Sequence, residues 1–443
     1  MQKKISAVII IETILLLITA GVFFASTVFG VDIPSLFGLA SASEPADGDN
    51  DWPEFSVVTP EPQADGEELR ERPTIRAEVI VDGAHVRVNE WISLRESTTY
   101  FHGYLFAANY ADTQVRLVSA DGGIEKFSAD NLNLYVNMRE PSTEVRVEYD
   151  FYLPGDNRIM SISGNLVKLT NFLITPAVYR DGAVIEVYTA PFGDPFIYEA
   201  YDYEITLSAS AEYDIHAPGK TEESTASDRK TADFSAACMR DFPVVLSKNV
   251  PVVTRDTPSG VHVTYIGAEE SGPFVAHSME WAAETIGEYP YEELFVVKTP
   301  MADNSGMEFS AMIFLNTSVF SDMETLKQLA YHEVLHQWFY CVIGVDQFNE
   351  PFLDEGLVTY LSGYLVNRNF QGYSDSGFLG MSLADYSTKN HYTRLAYNNA
   401  AAWLAGLHRD TGDRFFEILR EIYAAKKYDI LYYDEFISYF PAS

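Results

Sequence analysis

Apolar and polar residues alternate along one half of the chain and recur with a longer period along the other. Between about residues 75 and 248, "TIRAEVIVDGAHVRVNEWISL", "TQVRLVSA", "LNLYVNM", "EVRVEYDFYL" and "YDYEITLSASAEYDI" switch between apolar and polar at nearly every step. A period of two puts alternate side chains on opposite faces of a sheet, so each run reads as a half-buried strand. "DGG", "PGDN" and "APGK" supply turns between them. Residues 75–248 are therefore expected to form an all-β domain, a large curved sheet or sandwich. Inside it, "KTEESTASDRKTAD" (220–233) has no apolar face and reads as an exposed loop.

From 249 to 443 the pattern becomes helical. "PFVAHSMEWAAETIGEY" predicts a helix, "ELFVVKTP" a strand and "GMEFSAMIFLN" a second strand. Helices follow over about 321–343, 353–369, 391–410 and 413–426, with a short one near 433–440. Strands followed by helices indicate an α+β domain.

The N-terminus is predominantly apolar, with Glu12 its one charge: "ISAVIIIETILLLITAGVFFASTVFG" fills residues 5–30. Its fifteen Ile, Leu, Val and Phe residues contribute roughly 0.3–0.6 kcal/mol each toward insertion, against about 3 kcal/mol for Glu12. The run exceeds the apolar core of a signal peptide, so residues 1–30 are expected to be a retained single-pass membrane anchor in contact with the lipid bilayer. A signal peptide cleaved after "ASA" (40–42) is the alternative, which would leave a secreted protein. Lys3 and Lys4 precede the span and no Lys or Arg follows until Arg70, which puts the rest of the chain outside the cytoplasm. Residues 31–74, acidic and rich in Pro and Gly, read as a flexible linker.

Composition narrows the partners. The net charge is -34 over 443 residues, which repels phosphate backbones and argues against nucleic acid. Cys238 and Cys341 are the only cysteines, too few for a disulfide framework or a thiolate zinc site.

The chemistry concentrates in "YHEVLHQWF" (331–339). On a helix, residues four apart share a face, so His332 and His336 can offer imidazole nitrogens to one ion. Glu333 beside them can reach a water on that ion. Two histidines at this spacing also fit an ordinary helix, and a zinc site needs a third protein ligand. After His336 come eighteen residues, and then Glu355 opens a further helix in "EPFLDEGLVTYL". A second, antiparallel helix there completes a His, His, Glu set of the thermolysin kind. Asp354 and Thr359 could orient a ligand. Trp338 and Phe339 read as core, and His277, His391 and His408 as surface histidines.

"HEVLHQWF", the eighteen-residue spacing and "FLDEGL" together resemble the aminopeptidase N family of gluzincin zinc metallopeptidases. The resemblance covers about 75–443 and is strongest from 300 to 410. It implies a thermolysin-like catalytic domain over 249–443, following a β-saddle over 75–248 that a segment like "DFPVVLSKNV" closes. It implies Zn²⁺ as cofactor and Glu333 as general base. "SGMEFS" matches the family's strand motif at Gly306, Met307 and Glu308; there the glutamate holds the substrate's free α-amino group and the strand pairs with its backbone. "LAYNNAAAWLAGL" puts Tyr397, with Tyr386 and Tyr392 as competitors, where the family has a catalytic tyrosine on a helix. The chain departs from the family at Phe309, where asparagine is usual, and at Asn398, Asn399 and Ala400. The family's second amine-binding glutamate has no recognisable motif here. The implied function is a membrane-anchored zinc aminopeptidase acting on peptides with free N-termini. A zinc endopeptidase or oligopeptidase of the same fold is the alternative. A peptide-binding sensory ectodomain is a third reading, opposed by the intact Glu333.

Overall fold

A computed structural model describes residues 72–441, apart from 131, 190, 303 and 371–376. The expected anchor (1–30) and the expected linker up to residue 71 lie outside the described residues. No helix among the described residues is long and apolar enough to cross a membrane.

The alternating region forms a nine-stranded sheet. Its centre is a pair of 20-residue strands, His85–Tyr104 and Asn133–Tyr152, antiparallel along most of their length and interrupted by register shifts near Thr98. Thr74–Asp82 pairs with the first of these and runs parallel to Tyr201–Ser210. Inward positions such as Val79, Val86, Val147 and Leu207 are buried, which is what the period-two pattern demands. A four-stranded sheet that includes Leu166–Leu169 and Val244–Ser247 covers them, and both sheets share one apolar core.

Residues 220–233 are not a loop. Lys220–Ala226 and Arg229–Met239 pair as a hairpin turned at Ser227, which takes the left-handed conformation (φ 57°). The first strand is exposed on both faces, so no apolar alternation could announce it.

The second half contains a five-stranded sheet. His262–Ile266, Glu293–Thr299 and Met312–Asn316 run parallel, and helix Gly272–Thr285 connects the first two. The segment 306–316, expected as one strand, is a tight hairpin: Gly306–Phe309 folds back antiparallel on Met312–Asn316. Ala311 is left-handed at the turn (φ 56°). Folding back makes Gly306–Phe309 the edge of the sheet, with one side unpaired.

Helix Met323–Leu335 starts at Asp322, whose side chain accepts from the Glu324 N–H. It is shorter than the expected 321–343, because the chain turns after His336 and packs 337–348 as buried irregular structure. Helix Pro351–Leu365 follows, opened by proline. The expected helix over 391–410 is broken into three: Lys389–Tyr392, a π-helical stretch Thr393–Asn399, and Ala400–Thr411.

Arg240 joins the two halves. It is fully buried and donates to the carbonyls of Tyr198, Cys341, Val342 and Asp429. A Cβ on Gly344 would lie 2.5 Å from its guanidinium carbon, so glycine lets the backbone close over it. Asp241 accepts from the Ser310 N–H at 2.8 Å. The β domain thereby grips the turn of the edge hairpin and fixes the strand that carries Glu308. Both cysteines are free, Cys341 buried and Cys238 half-buried.

Candidate metal centre and active site

His332 and His336 stand one helical turn apart, with the His336 backbone N–H still bonded to the His332 carbonyl. The Nε2 atoms of His332 and His336 are 3.2 Å apart. Glu355 Oε2 lies 3.2 Å from His332 Nε2 and 3.6 Å from His336 Nε2. Donor bonds of about 2.0–2.1 Å at tetrahedral angles set ligand atoms roughly 3.3–3.4 Å apart. The three side chains therefore fit a single zinc ion with little rearrangement. His336 is held for this role: its Nδ1 lies 2.9 Å from Asp354 Oδ1 and 3.2 Å from the Phe339 carbonyl. Donating from Nδ1 leaves the Nε2 lone pair for metal. Helix Pro351–Leu365 directs its N-terminal end toward the cluster, and its dipole favours Asp354 and Glu355 there.

Glu333 points across the edge strand. A Cβ on Gly306 would come within 2.0 Å of Glu333 Oε1, so only glycine permits this approach. Its Oε2 is buried and has no hydrogen-bond partner. Burial pushes the Glu333 carboxyl up to about 8. A bound cation reverses that shift.

Glu308, two residues further along the strand, is buried, with Met307 between them packed into the core. Gln347 Nε2 donates to Glu308 Oε1 (2.8 Å) and to Asp354 Oδ2 (2.7 Å), so one amide ties the edge strand to the ligand helix. Burial holds Glu308 well above the usual carboxylate range, with Asp194 and Asp354 adding to it. Tyr397 sits in the π-helical stretch. Its hydroxyl donates to Glu355 Oε1, and its ring stacks on His332 at 6.0 Å. A π-helical turn widens the local spiral, a device common at functional sites. Of the competitors, Tyr392 packs edge-on against Tyr397 and Tyr386 packs behind Tyr392.

The structure also places Asp194 in this cleft, which the sequence did not reveal. It lies in "PFGDP" between strands, half-buried, with its carboxyl raised to about 7 by burial and then by Glu355 and Asp354. No period or motif marks such a segment. Gln347 was missed for the same reason. Thr359 lines the cleft with its hydroxyl unpartnered. His277, His391 and His408 make contacts elsewhere, with Tyr331, Ser387 and Tyr360. Trp338 is core, its indole N–H bonded to the Gly287 carbonyl at 2.7 Å.

The cleft has a volume of about 810 Å³. Four carboxylates line it, those of Asp194, Glu308, Glu333 and Glu355, with Asp354 buried against His336; burial first, and then neighbouring carboxylates, raise the proton affinity of Asp194, Glu308 and Glu333. Burial also opposes the charge on His336, but Asp354 and Glu308 outweigh it and raise its pKa. These shifts predict how the metal-free protein responds to pH. Glu333, Glu308 and Asp194 hold protons more tightly folded than unfolded, so their contribution to stability falls as pH rises from about 4.5 toward 8. His336 acts in the same direction above its unfolded value near 6.5. Glu355, whose pKa is lowered by His332 and His336 despite burial, is already ionised across this window. The chelated protein should lose several degrees of Tm between pH 5 and pH 8, while the zinc-loaded protein should gain relative to it. A chelated Tm that rises over that interval would contradict this electrostatic account.

Fold and site geometry together resemble those of gluzincin-type zinc metallopeptidases. Residues 274–402 match the Peptidase family M1 domain, which contains all of these side chains except Asp194. A 128-residue segment is 24% identical to "Aminopeptidase 2" of Candida albicans; the match takes in 27% of this chain and 13% of that protein. The M1 zinc metallopeptidase of Deinococcus radiodurans has a similar fold: TM-score 0.60 at 15% identity, over 83% of this chain and 89% of that one. A variant of it bound to a Tyr-Ser-Ala substrate superposes with a TM-score of 0.63 at 13% identity, over 83% and 89%. The likeness of fold thus extends across both the β-rich half and the helical half.

Proposed function

We infer that the protein is a zinc aminopeptidase, removing residues one at a time from the free N-termini of peptides. The observation that carries this reading is the pair of acids, Glu308 and Asp194, that line the cleft together with His332 and Glu355 of the donor cluster and lie close enough to raise each other's charge cost. Carboxylates crowded and desolvated there favour a cation, and a peptide ammonium supplies one. Asp194 takes the place of the second amine anchor that no sequence motif announced. Further support comes from the relatives, one of them named an aminopeptidase and another holding a tripeptide substrate.

Each side chain then has a task. When bound, zinc supplies Lewis-acid polarisation of the scissile carbonyl and acidifies water, lowering its pKa from about 15.7 to about 7. Glu333, aimed over Gly306, takes the proton of the attacking water and returns it to the leaving amine. The Tyr397 hydroxyl, within reach of Glu355, turns to donate to the developing oxyanion. The unpaired side of Gly306–Phe309 aligns the peptide backbone by strand addition. The apolar run at residues 5–30 and the basic Lys3 and Lys4 before it support a single-pass anchor, with catalysis outside the cytoplasm.

Comparing free and N-acetylated peptides tests the specificity. A charge-assisted contact of about 1.5–3 kcal/mol corresponds to roughly 10- to 150-fold in kcat/KM. Glu308→Ala should weaken cleavage of free N-termini by about that factor and leave the already poor acetylated peptides unchanged. Equal cleavage of free and acetylated peptides by the parent would establish an endopeptidase of this fold instead.

A further inference from the structure

Acids crowd around the donor cluster of the cleft, and a cation projects into it from just past the end of the helix that carries Glu355 near its start. Three basic side chains line the cleft: Arg158, Arg368 and Lys389. Arg158 is engaged, paired with Asp156 at 3.0 Å and donating to the Tyr110 carbonyl at 3.1 Å. Lys389 lies near Asp194, whose pKa it lowers. Arg368 differs from both. Its guanidinium is exposed to the cleft, donates one bond to Asn398 Oδ1 at 3.1 Å and rests on the Phe370 ring at 4.8 Å. No carboxylate among the described residues pairs with it, in a chain carrying 64 acidic residues and 30 basic ones.

Its position is fixed by the fold. Arg368 is the residue that closes helix Pro351–Leu365. Asn367 is left-handed (φ 55°), the Arg368 N–H bonds to the Gly363 carbonyl at 2.8 Å, and the Asn367 N–H bonds to the Tyr364 carbonyl at 3.0 Å. This paired closure is a Schellman motif, which anchors the backbone from which the guanidinium projects. The helix that supplies Glu355 near its start therefore supplies Arg368 just past its end.

Helix Met323–Leu335 measures the distance between Glu308 and Arg368. Glu308 and His336 bring donor atoms within 4.8 Å of each other, so Glu308 lies level with His336. Arg368 borders a neighbouring cleft as well, and Gln328 is shared between the two. Gln328 precedes His336 by eight positions, about 12 Å at 1.5 Å per residue. An extended peptide advances about 3.3–3.6 Å per residue, so three residues cover about 10–11 Å. We propose that Arg368 receives the C-terminal carboxylate of the substrate, which makes the cleft selective for peptides of two to three residues. A planar guanidinium with free donors suits a carboxylate better than a lone ammonium would. This assignment rests on the aminopeptidase reading only for the direction in which the peptide lies.

The test compares kcat/KM for one unblocked tripeptide, its C-terminal amide, its N-acetyl derivative and a pentapeptide extension. The zinc-loaded full chain is compared with Arg368→Ala and Arg368→Lys. The parent should prefer the tripeptide acid over its amide and over the pentapeptide by about tenfold. Arg368→Ala should remove that preference by lowering the acid alone, and Arg368→Lys should restore part of it. Equal rates for acid and amide in the parent, or an equal loss on both in Arg368→Ala, would overturn the proposal. If acetylation has no effect while the preference for the acid persists, the aminopeptidase reading falls and Arg368 keeps its role. Should turnover be too slow to measure, calorimetric binding of the same peptides to Glu333→Gln decides by the same comparison.

Discussion

Glu333→Gln will keep its zinc and its fold and lose turnover by a factor of at least about 100. Glutamine matches glutamate in size, so the close passage over Gly306 survives, and none of the contacts that set the three metal-side donors involves Glu333. What disappears is the ability to accept a proton. The loss should appear in kcat rather than in substrate affinity, because Glu333 acts as the bond breaks and not in holding the ground state. Removing a buried carboxylate from a crowded acidic cleft should also spare the metal-free variant part of its loss of stability toward pH 8. Metal content, thermal unfolding and steady-state kinetics measured on one preparation separate these effects. A variant with metal and near-normal kcat would require another base.

The parts of this site that were legible in the sequence are those set by local geometry. His332 and His336 share a helix face whatever surrounds them, and Glu333 follows at a fixed angle. Glu355 could be reached because a short connection forces a second helix back against the first. The rest depends on chain crossings that no period encodes. Asp194 comes from irregular backbone between strands of the other half of the molecule, more than 100 residues before Glu308 in sequence. Gln347 lies in the buried segment after His336, where a turn ended the helix that the apolar pattern would have prolonged. The edge hairpin read as one strand because its turn, Ser310–Ala311, interrupts the apolar pattern by only two small residues. The 220–226 strand was hidden for the opposite reason: both of its faces are wet. Arg240, which locks the two halves together, looks in sequence like any surface arginine, and only its four carbonyl partners reveal it.

Loss of a metal ligand should have a still larger effect than loss of the base. The parent is expected to carry roughly one zinc per chain; Glu355→Ala and His336→Ala should each lose most of it, and activity should fall to background. Two remaining protein donors hold a divalent cation far more weakly than three at matched distances. The two variants should differ in stability. Without His336, Asp354 loses its ring partner while buried carboxylates remain around it, so His336→Ala should also unfold at a lower temperature. Glu355→Ala removes a carboxylate from the same crowd and should be milder, at the cost of freeing the Tyr397 hydroxyl. The pair also discriminates between two possible ion positions. Glu308, Glu333 and His336 form another group of donors within 4.8 Å of one another. An ion seated there would survive Glu355→Ala and vanish with His336→Ala. It would also occupy Glu333, the one residue placed to move a proton, and Glu308, which holds the ammonium in our reading. An ion between His332, His336 and Glu355 is lost in both variants and leaves those two acids for catalysis and substrate. Zinc analysis of Glu355→Ala therefore decides the metal position, and near-stoichiometric zinc in that variant would move the ion to the Glu308 side and undo the mechanism.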